Sequence, residues 1–531
     1  MPRMTRVKRR SENRDLSATR TILARYNPSM PDYFDQPRLE FVAADARDTD
    51  CDLIAVPISS EDDLDDVVGA ESAFGGALAK SIESGEFGLD SGDTVLVERN
   101  DSNWKTNRVL FVLTDTTART PEDRLRKAAA VAARYAIRHK TGILGFVCRG
   151  CCKVSSAAQS VSEGLLLGGF EDRRYRTKSR DKMSTTGFLV IGNKGAYSDG
   201  HLGVERGSVL GASTNIARLF TNEPANLLPP DEFALRARDV LKDARIEADI
   251  LDEGDIERLG LGLLLGVSLG SKQAPRVLVM RNTTHFEHGD RMLALVGKGV
   301  TFDSGGLSLK TPAGMEIMKR DMAGGAAVIS AMRAIGLIGL DRPILGIVPM
   351  TENMPGGMAM RPGDVLTSGA GTTVEVINTD AEGRLILGDA LWYARKLGAT
   401  HLIDVATLTG ACKVALGTNY SGLFGESNDW VKSVLRASEK AGELVWRLPT
   451  GKEFLALLKS DTADIANSGG RVAGASSAAM FLEHFSGGLP WAHIDIAGTA
   501  WNEEAREGLA SGATGVMVRT LVEIALDSSA W

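Results

Sequence analysis

Histidine is scarce in this chain, at seven of 531 residues. None is followed by glutamate, so the His-Glu-x-x-His helix that holds zinc in many peptidases is absent. Cysteine is scarce too. Cys51, Cys148, Cys151, Cys152 and Cys412 are odd in number and irregular in spacing, which does not make a disulfide framework. A reducing, cytoplasmic setting follows. Cys148-Arg-Gly-Cys151 has the form of a redox or zinc knuckle, but no second pair accompanies it and the apolar run Ile143 to Val147 precedes it. Buried or incidental thiols are the better reading. Basic residues are not in excess: 61 Lys+Arg against 68 Asp+Glu leave a net charge of −7. That argues against a nucleic-acid binder driven by phosphate contacts. No uninterrupted apolar run is long enough to span a membrane. Internal repeats and low-complexity segments are missing.

What remains is the composition of a soluble globular protein, 43% hydrophobic and 24% charged. Its length exceeds a single compact core, so two domains are expected. Residues 1–36 read as a tail, with a basic cluster at Arg3, Arg6, Lys8, Arg9 and Arg10. The cluster has the form of a nuclear or organellar address. Glu12 and Asp15 spoil a transit-peptide pattern and no secretory apolar region follows, so a solvated tail is favoured. Residues 37–200 alternate strands and helices as a smaller N-terminal α/β domain. Its strand candidates are Leu39 to Ala43, Leu53 to Ile58, Thr94 to Glu98, Val109 to Leu113, Ile143 to Val147 and Phe188 to Ile191. A helix is expected from Pro121 to about His139, and Glu171 to Met183 reads as an exposed charged loop. A connecting helix (201–220, with Val204 to Phe220 its clearest part) leads to the larger domain, 221–531. There Asp231 reads as the N-cap of a helix through Leu241. The expected fold is α/β, with a mixed central sheet flanked by helices in the larger domain.

Two stretches of that domain concentrate the chemistry. One is Gly297-Lys298-Gly299-Val300-Thr301-Phe302-Asp303-Ser304-Gly305-Gly306-Leu307-Ser308-Leu309-Lys310, with Asp321 shortly after. The other is Asn378-Thr379-Asp380-Ala381-Glu382-Gly383-Arg384. Each follows a strand-like run, and ligands of open α/β sheets gather at strand ends. In an extended loop, Asp380, Glu382 and Arg384 would point the same way. Carboxylates sharing a pocket repel unless a cation neutralises them, and oxygen-rich sites suit divalent metals. The alternative is a set of surface acids and salt bridges. Lys298 is not a phosphate-loop lysine, because Met292 stands where the first glycine is needed and Gly299 follows it.

These stretches closely resemble the signatures of the leucyl aminopeptidase family, the M17 type of two-metal exopeptidases. The resemblance runs from about Thr221 to the end. It includes the turn Thr221 to Pro229 and the late string Ile494-Asp495-Ile496-Ala497-Gly498. It implies a metal-dependent aminopeptidase that releases N-terminal leucine and other apolar residues from peptides with a free N-terminus. It implies two divalent ions, Zn²⁺ or Mn²⁺/Co²⁺. One would be held by Lys298, Asp303, Asp321 and Glu382, the other by Asp303, Asp380 and Glu382. Lys298 would act as a neutral amine. Lys310 and Arg384 would be catalytic, Lys310 facing the developing oxyanion and Arg384 holding a bicarbonate ion. Met318, Asn378, Thr407, Leu408, Gly410, Ala497 and Ala500 would bind substrate. A homohexamer is implied as well.

Two other function classes stay open at this stage. Gly266-Val267-Ser268-Leu269-Gly270 satisfies Gly-x-Ser-x-Gly, so a serine hydrolase using Ser268 and His493 is conceivable. The run before it is punctuated by glycine and a strand pattern follows at Val277 to Met280, so a short loop is favoured. His493 reads as a structural histidine. The other class is a non-enzymatic DNA-binding role, to which the net charge gives no support.

Overall fold

The structure is a computed structural model. It describes residues 37–59, 76–85, 87, 91–98, 104–114, 118–149, 152–177, 185–282, 290–506 and 508–531. The basic tail, Cys151 and the end of the charged loop after residue 177 lie outside the described residues.

The N-terminal sheet has six strands: β1 (Arg38–Ala43), β2 (Leu53–Ile58), β3 (Thr94–Glu98), β4 (Arg108–Leu113), β5 (Ile143–Val147) and β6 (Gly187–Gly192). Their order is β1-β6-β5-β2-β4-β3, parallel throughout except between β3 and β4. Every residue of β2 is buried, as its unbroken apolar run requires for a central parallel strand. Helices α1 (Pro121–Arg138) and α2 (Val154–Gly168) pack against this sheet through Leu125, Ala129, Val161 and Leu165. Thr120 caps α1, accepting from the Asp123 N–H at 3.2 Å, with Pro121 in the first turn.

Helix α3 (Tyr197–Asn222) joins the two domains. It begins seven residues before the clear apolar periodicity. Its early glycines weaken that pattern but are needed for packing. A Cβ on Gly203 or Gly207 would stand 2.3 or 2.4 Å from the Ser155 or Gln159 carbonyl of α2. The fully buried Arg218 of α3 ties the halves together. It donates to the Leu167 carbonyl at 2.9 Å, to the Ala513 carbonyl at 3.0 Å and stacks on Phe170.

In the larger domain α4 (Pro230–Leu241) starts with Pro229 at the cap position, and Asp231 stands in the first turn rather than capping it. The carboxylate there still faces the positive end of the helix dipole. Next come α5 (Gly262–Ser268), α6 (Ala323–Ile338) and α7 (Glu382–Lys396). The strands are β7 (Glu247–Leu251), β8 (Arg276–Arg281), β9 (Leu293–Gly297), β10 (Gly299–Asp303), β11 (Ile344–Asn353), β12 (Val365–Thr367), β13 (Thr373–Glu375), β14 (His401–Ala406), β15 (Ser421–Phe424), β16 (Val445–Arg447), β17 (Ile465–Ala466) and β18 (Trp491–Asp495). The main sheet is mixed, in the order β16-β15-β18-β14-β9-β11-β8-β7, with β10 also on β11. Strands β18, β14, β9 and β11 form its parallel centre. Alternate residues of β9 face opposite layers. Leu293 and Leu295 join the core under α6, whereas Ala294 and Val296 join the core under α7. Residues 312–338 hold no uninterrupted apolar run of that length, since charged residues such as Arg333 break it, but they are long and apolar enough on average to cross a membrane. Their most apolar stretch is 89% buried inside the protein, which makes it a core helix.

Candidate functional site

Strands β9 and β10 are one strand broken at Lys298. Val296 pairs with Ile347 and Gly299 with Met350, so the register on β11 carries across the break. The Lys298 N–H donates to the Val405 carbonyl at 3.1 Å, and its own carbonyl accepts from the Gly325 N–H at 2.7 Å. Its side chain, 2% exposed, places Nζ 2.7 Å from Asp321 Oδ2 and 2.8 Å from Glu382 Oε1, and donates to the Thr407 carbonyl at 3.1 Å.

Asp303 ends β10. Its Oδ1 accepts from the Gly305 N–H at 2.8 Å and the Asn353 amide at 2.9 Å, leaving Oδ2 2.7 Å from Lys310 Nζ. Lys310 also pairs with Asp380. Carboxylate oxygens of Asp303, Asp380 and Glu382 lie within 4.8 Å of one another. Gly305 and Gly306 turn the chain between them at φ of +86° and +64°. A side chain at 305 would meet Asp380 Oδ1 at 2.9 Å as well as strain the backbone.

Asp321 lies in the 3₁₀ turn Met318–Met322, before α6. Thr407 Oγ1 donates to its Oδ1 at 2.7 Å. Its Oδ2 is buried and has no hydrogen bond, although the Lys298 ammonium is close by.

The charges are unbalanced. Among the described residues, the ion pairs of Asp303, Asp321, Asp380 and Glu382 are all to Lys298 and Lys310. Burial pushes Asp321 up to about 8 despite Lys298, with Asp303 and Glu382 adding to the rise. Burial, Asp303 and Glu382 likewise push Asp380 up to about 6. Asp303 moves the same way, through burial and Glu382. Burial works upward on Glu382, but Lys298 and Lys310 outweigh it and hold the carboxyl low. Burial works downward on both lysines, yet their carboxylate neighbours hold them charged. Full ionisation would set four carboxylates, three of them buried, against two paired ammonium groups. An oxygen-rich cluster whose carboxylates outnumber its ammonium groups fits divalent cations.

The second stretch is not extended through its length. Helix α7 begins at Glu382, where Ala381 offers no side-chain cap. At about 100° per residue, Glu382 and Arg384 point to opposite sides of the first turn. Glu382 reaches Lys298, whereas Arg384 Nη1 donates to the Asn467 carbonyl at 2.8 Å. Arg384 is buried, its Nε has no partner, and burial pushes it down to about 10 against Glu382, Asp495 and Asp380. A buried guanidinium with a free donor fits a small anion.

Among the expected substrate residues, Thr407 bonds both Asp321 and, through its carbonyl, Lys298. Leu408 is half-buried and Gly410 is exposed at the start of the helix Gly410–Leu416. Met318 is half-buried in the turn that carries Asp321. Asn378 is half-buried, and its Oδ1 accepts from the Asp380 N–H at 2.9 Å. Ala497 is half-buried, and its N–H donates to Asp495 Oδ1 at 3.0 Å. Ala500 is 1% exposed within the core.

Three organising residues have no role assigned by the motifs, although Asp495 stands within one of them. Asp495 accepts from the N–H groups of Leu408, Thr409 and Ala497, which gathers two loops. The Asn467 amide accepts from Ile377 and Asn378 and donates to the Asn378 carbonyl. Asn353 ends β11 beside Asp303. A polar residue closing an apolar strand was the available signal for Asn353 and Asp495.

Ser268 is the last residue of α5 rather than part of a loop, and its hydroxyl donates to the Leu265 carbonyl at 2.8 Å. The following chain does not form the helix of a nucleophile elbow. His493 is fully buried, bonded to Asp404 and stacked on Phe424 and Trp491.

The family model described as cytosol aminopeptidase family, catalytic domain, matches residues 215–522, and that for the N-terminal domain matches residues 55–179. A probable cytosol aminopeptidase of Alkaliphilus metalliredigens is 40% identical, over 86% of this chain and 92% of its own. One of Solibacter usitatus is 45% identical, over 80% and 87%. Among solved structures, a tomato leucine aminopeptidase variant superposes with a TM-score of 0.84 at 30% identity, covering 94% of this chain and 98% of its own. The bottromycin maturation enzyme BotP in complex with Mn gives 0.78 at 33% identity, covering 90% and 99%.

Proposed function

The chain belongs to the cytosol aminopeptidase family of metal-dependent peptidases, and on that premise we propose that it removes single N-terminal residues from peptides using two divalent ions. The observation that carries this reading is the set of four carboxylates, three buried and Asp380 partly exposed, that shares two lysines beside the end of β10. Lys298, which must give up its proton to coordinate, would hold one ion with Asp303, Asp321 and Glu382, and Asp303, Asp380 and Glu382 would hold the other. Zn²⁺, Mn²⁺ or Co²⁺ suits such donors. When bound, the ions polarise the scissile carbonyl and lower the pKa of water.

The chain's own residues do the rest. Lys310 keeps a fixed positive charge at the mouth of the cluster, where an oxyanion would develop. Arg384, with its free Nε, would hold a bicarbonate ion close enough to take a proton. Thr407 fixes Asp321 and Lys298 at once. Met318, Ala497 and Ala500 supply small or apolar surface with no cation among them, which favours leucine and methionine over aspartate. Asn378, Leu408 and Gly410 would complete the substrate's surroundings. A homohexamer acting in the cytoplasm is part of the same reading.

Exhaustive chelation should abolish hydrolysis of a leucyl amide, and Zn²⁺, Mn²⁺ or Co²⁺ should restore it. Full activity in protein verified to be free of metal would sink the proposal.

A further inference from the structure

The two carboxylates expected to touch both ions, Asp303 and Glu382, come from different elements, one ending β10 and the other opening α7. One side chain joins them. The Asn353 amide, 2% exposed, donates to Asp303 Oδ1 at 2.9 Å and to the Thr379 carbonyl at 3.0 Å, and lies 3.3 Å from Glu382 Oε2. With the Gly305 N–H also on Asp303 Oδ1, the remaining oxygen, Oδ2, is left to Lys310 Nζ at 2.7 Å and carries no other hydrogen bond among the described residues. On Glu382 the same amide lies against Oε2 while Oε1 meets Lys298. The strand end does not need this side chain. The Asn353 backbone carbonyl already accepts from Ser304 N–H and Ser304 Oγ, at 2.9 and 2.7 Å.

Resting on the two-ion reading above, we propose that Asn353 is a positioning residue. It sets which oxygen of Asp303 and of Glu382 faces the ions, and thereby the affinity of the cluster for a divalent cation. Through Thr379 it also fixes the loop that carries Asp380. An amide suits this role because it donates to carboxylates while adding no further negative charge to the cluster.

The test is calorimetric titration of the chelator-treated full chain with Mn²⁺, comparing the parent protein with Asn353→Ala, alongside thermal melts. The amide's loss should weaken Mn²⁺ binding by about 10–100-fold, the usual scale for a group that orients metal ligands. The variant should still melt cooperatively. A residue that serves the fold alone would lower the melting temperature and leave the dissociation constant where it was. Should the alanine variant fail to fold, Asn353→Ser, whose hydroxyl is too short to reach both carboxylates, is read in the same way. Binding within twofold of the parent in a folded variant overturns the proposal. A parent that binds no divalent ion at all overturns the two-ion reading instead.

Discussion

Each charged residue of the cluster has a role set by what it touches. Asp303 and Glu382 each meet a lysine and share Asn353, so removing either disconnects both halves of the site. Asp303→Ala and Glu382→Ala should therefore lose metal and activity together, measured by elemental analysis and leucyl amide hydrolysis. Lys310 is expected to act as a fixed charge rather than a ligand. Lys310→Ala should keep its metal and lose roughly 10²–10³ in kcat, the scale for one oxyanion-stabilising group. Loss of metal in that variant would show the role to be wrong. The residues of the two stretches were legible in the sequence because they crowd into a few positions after apolar runs. Asn353 and Asn467 were not. They reach Asp303 and Asn378 across 50 and 89 residues, a proximity that only the sheet order creates.

Elements add constraints that no single residue shows. The strand patterns place much of the fold: Leu53 to Ile58, Thr94 to Glu98 and Ile143 to Val147 coincide with β2, β3 and β5. The start of α7 is different. Its apolar periodicity begins at Leu385, whereas the helix begins at Glu382, because Ala381 provides no capping signal and the first turn serves the site. That early start brings Gly383 against Lys298. A Cβ there would stand 2.6 Å from Lys298 Cε and 2.7 Å from Nζ. In Gly383→Ala, better helix propensity is worth about 1 kcal/mol, whereas crowding a pinned, buried lysine costs about 1–3 kcal/mol. The crowding should win, giving a lower melting temperature and weaker metal retention. A variant more stable than the parent would mean that Lys298 can move aside.

At the scale of the whole molecule, two α/β domains are held by α3 and by buried polar contacts across the junction. Arg218 is the clearest, since its guanidinium is satisfied by carbonyls from both sides. Burial pushes its pKa down to about 9, which marks how little water it sees. Arg218→Leu would strand the Leu167 and Ala513 carbonyls, at roughly 1–3 kcal/mol each. Limited proteolysis should then cut between the domains sooner than in the parent, and equal resistance would deny Arg218 that role. The two-domain division was legible from length and alternation. Arg218 was not, because a charged residue in a helix reads as exposed until its partners are known.

The central claim is that this site acts on a free N-terminus. Two ions held by Asp303, Asp380 and Glu382, as proposed, would suit a neutral α-amine and the next carbonyl, and an acetyl group would remove the basicity of that amine and add bulk where it must bind. The most direct measurement is mass spectrometry of paired peptides, identical except for N-acetylation, incubated with the metal-loaded protein. Stepwise release of single residues from the free peptides alone, fastest for leucine and methionine, is the predicted result. Comparable cleavage of the acetylated partners, or cuts in the interior of the chain, would contradict the account.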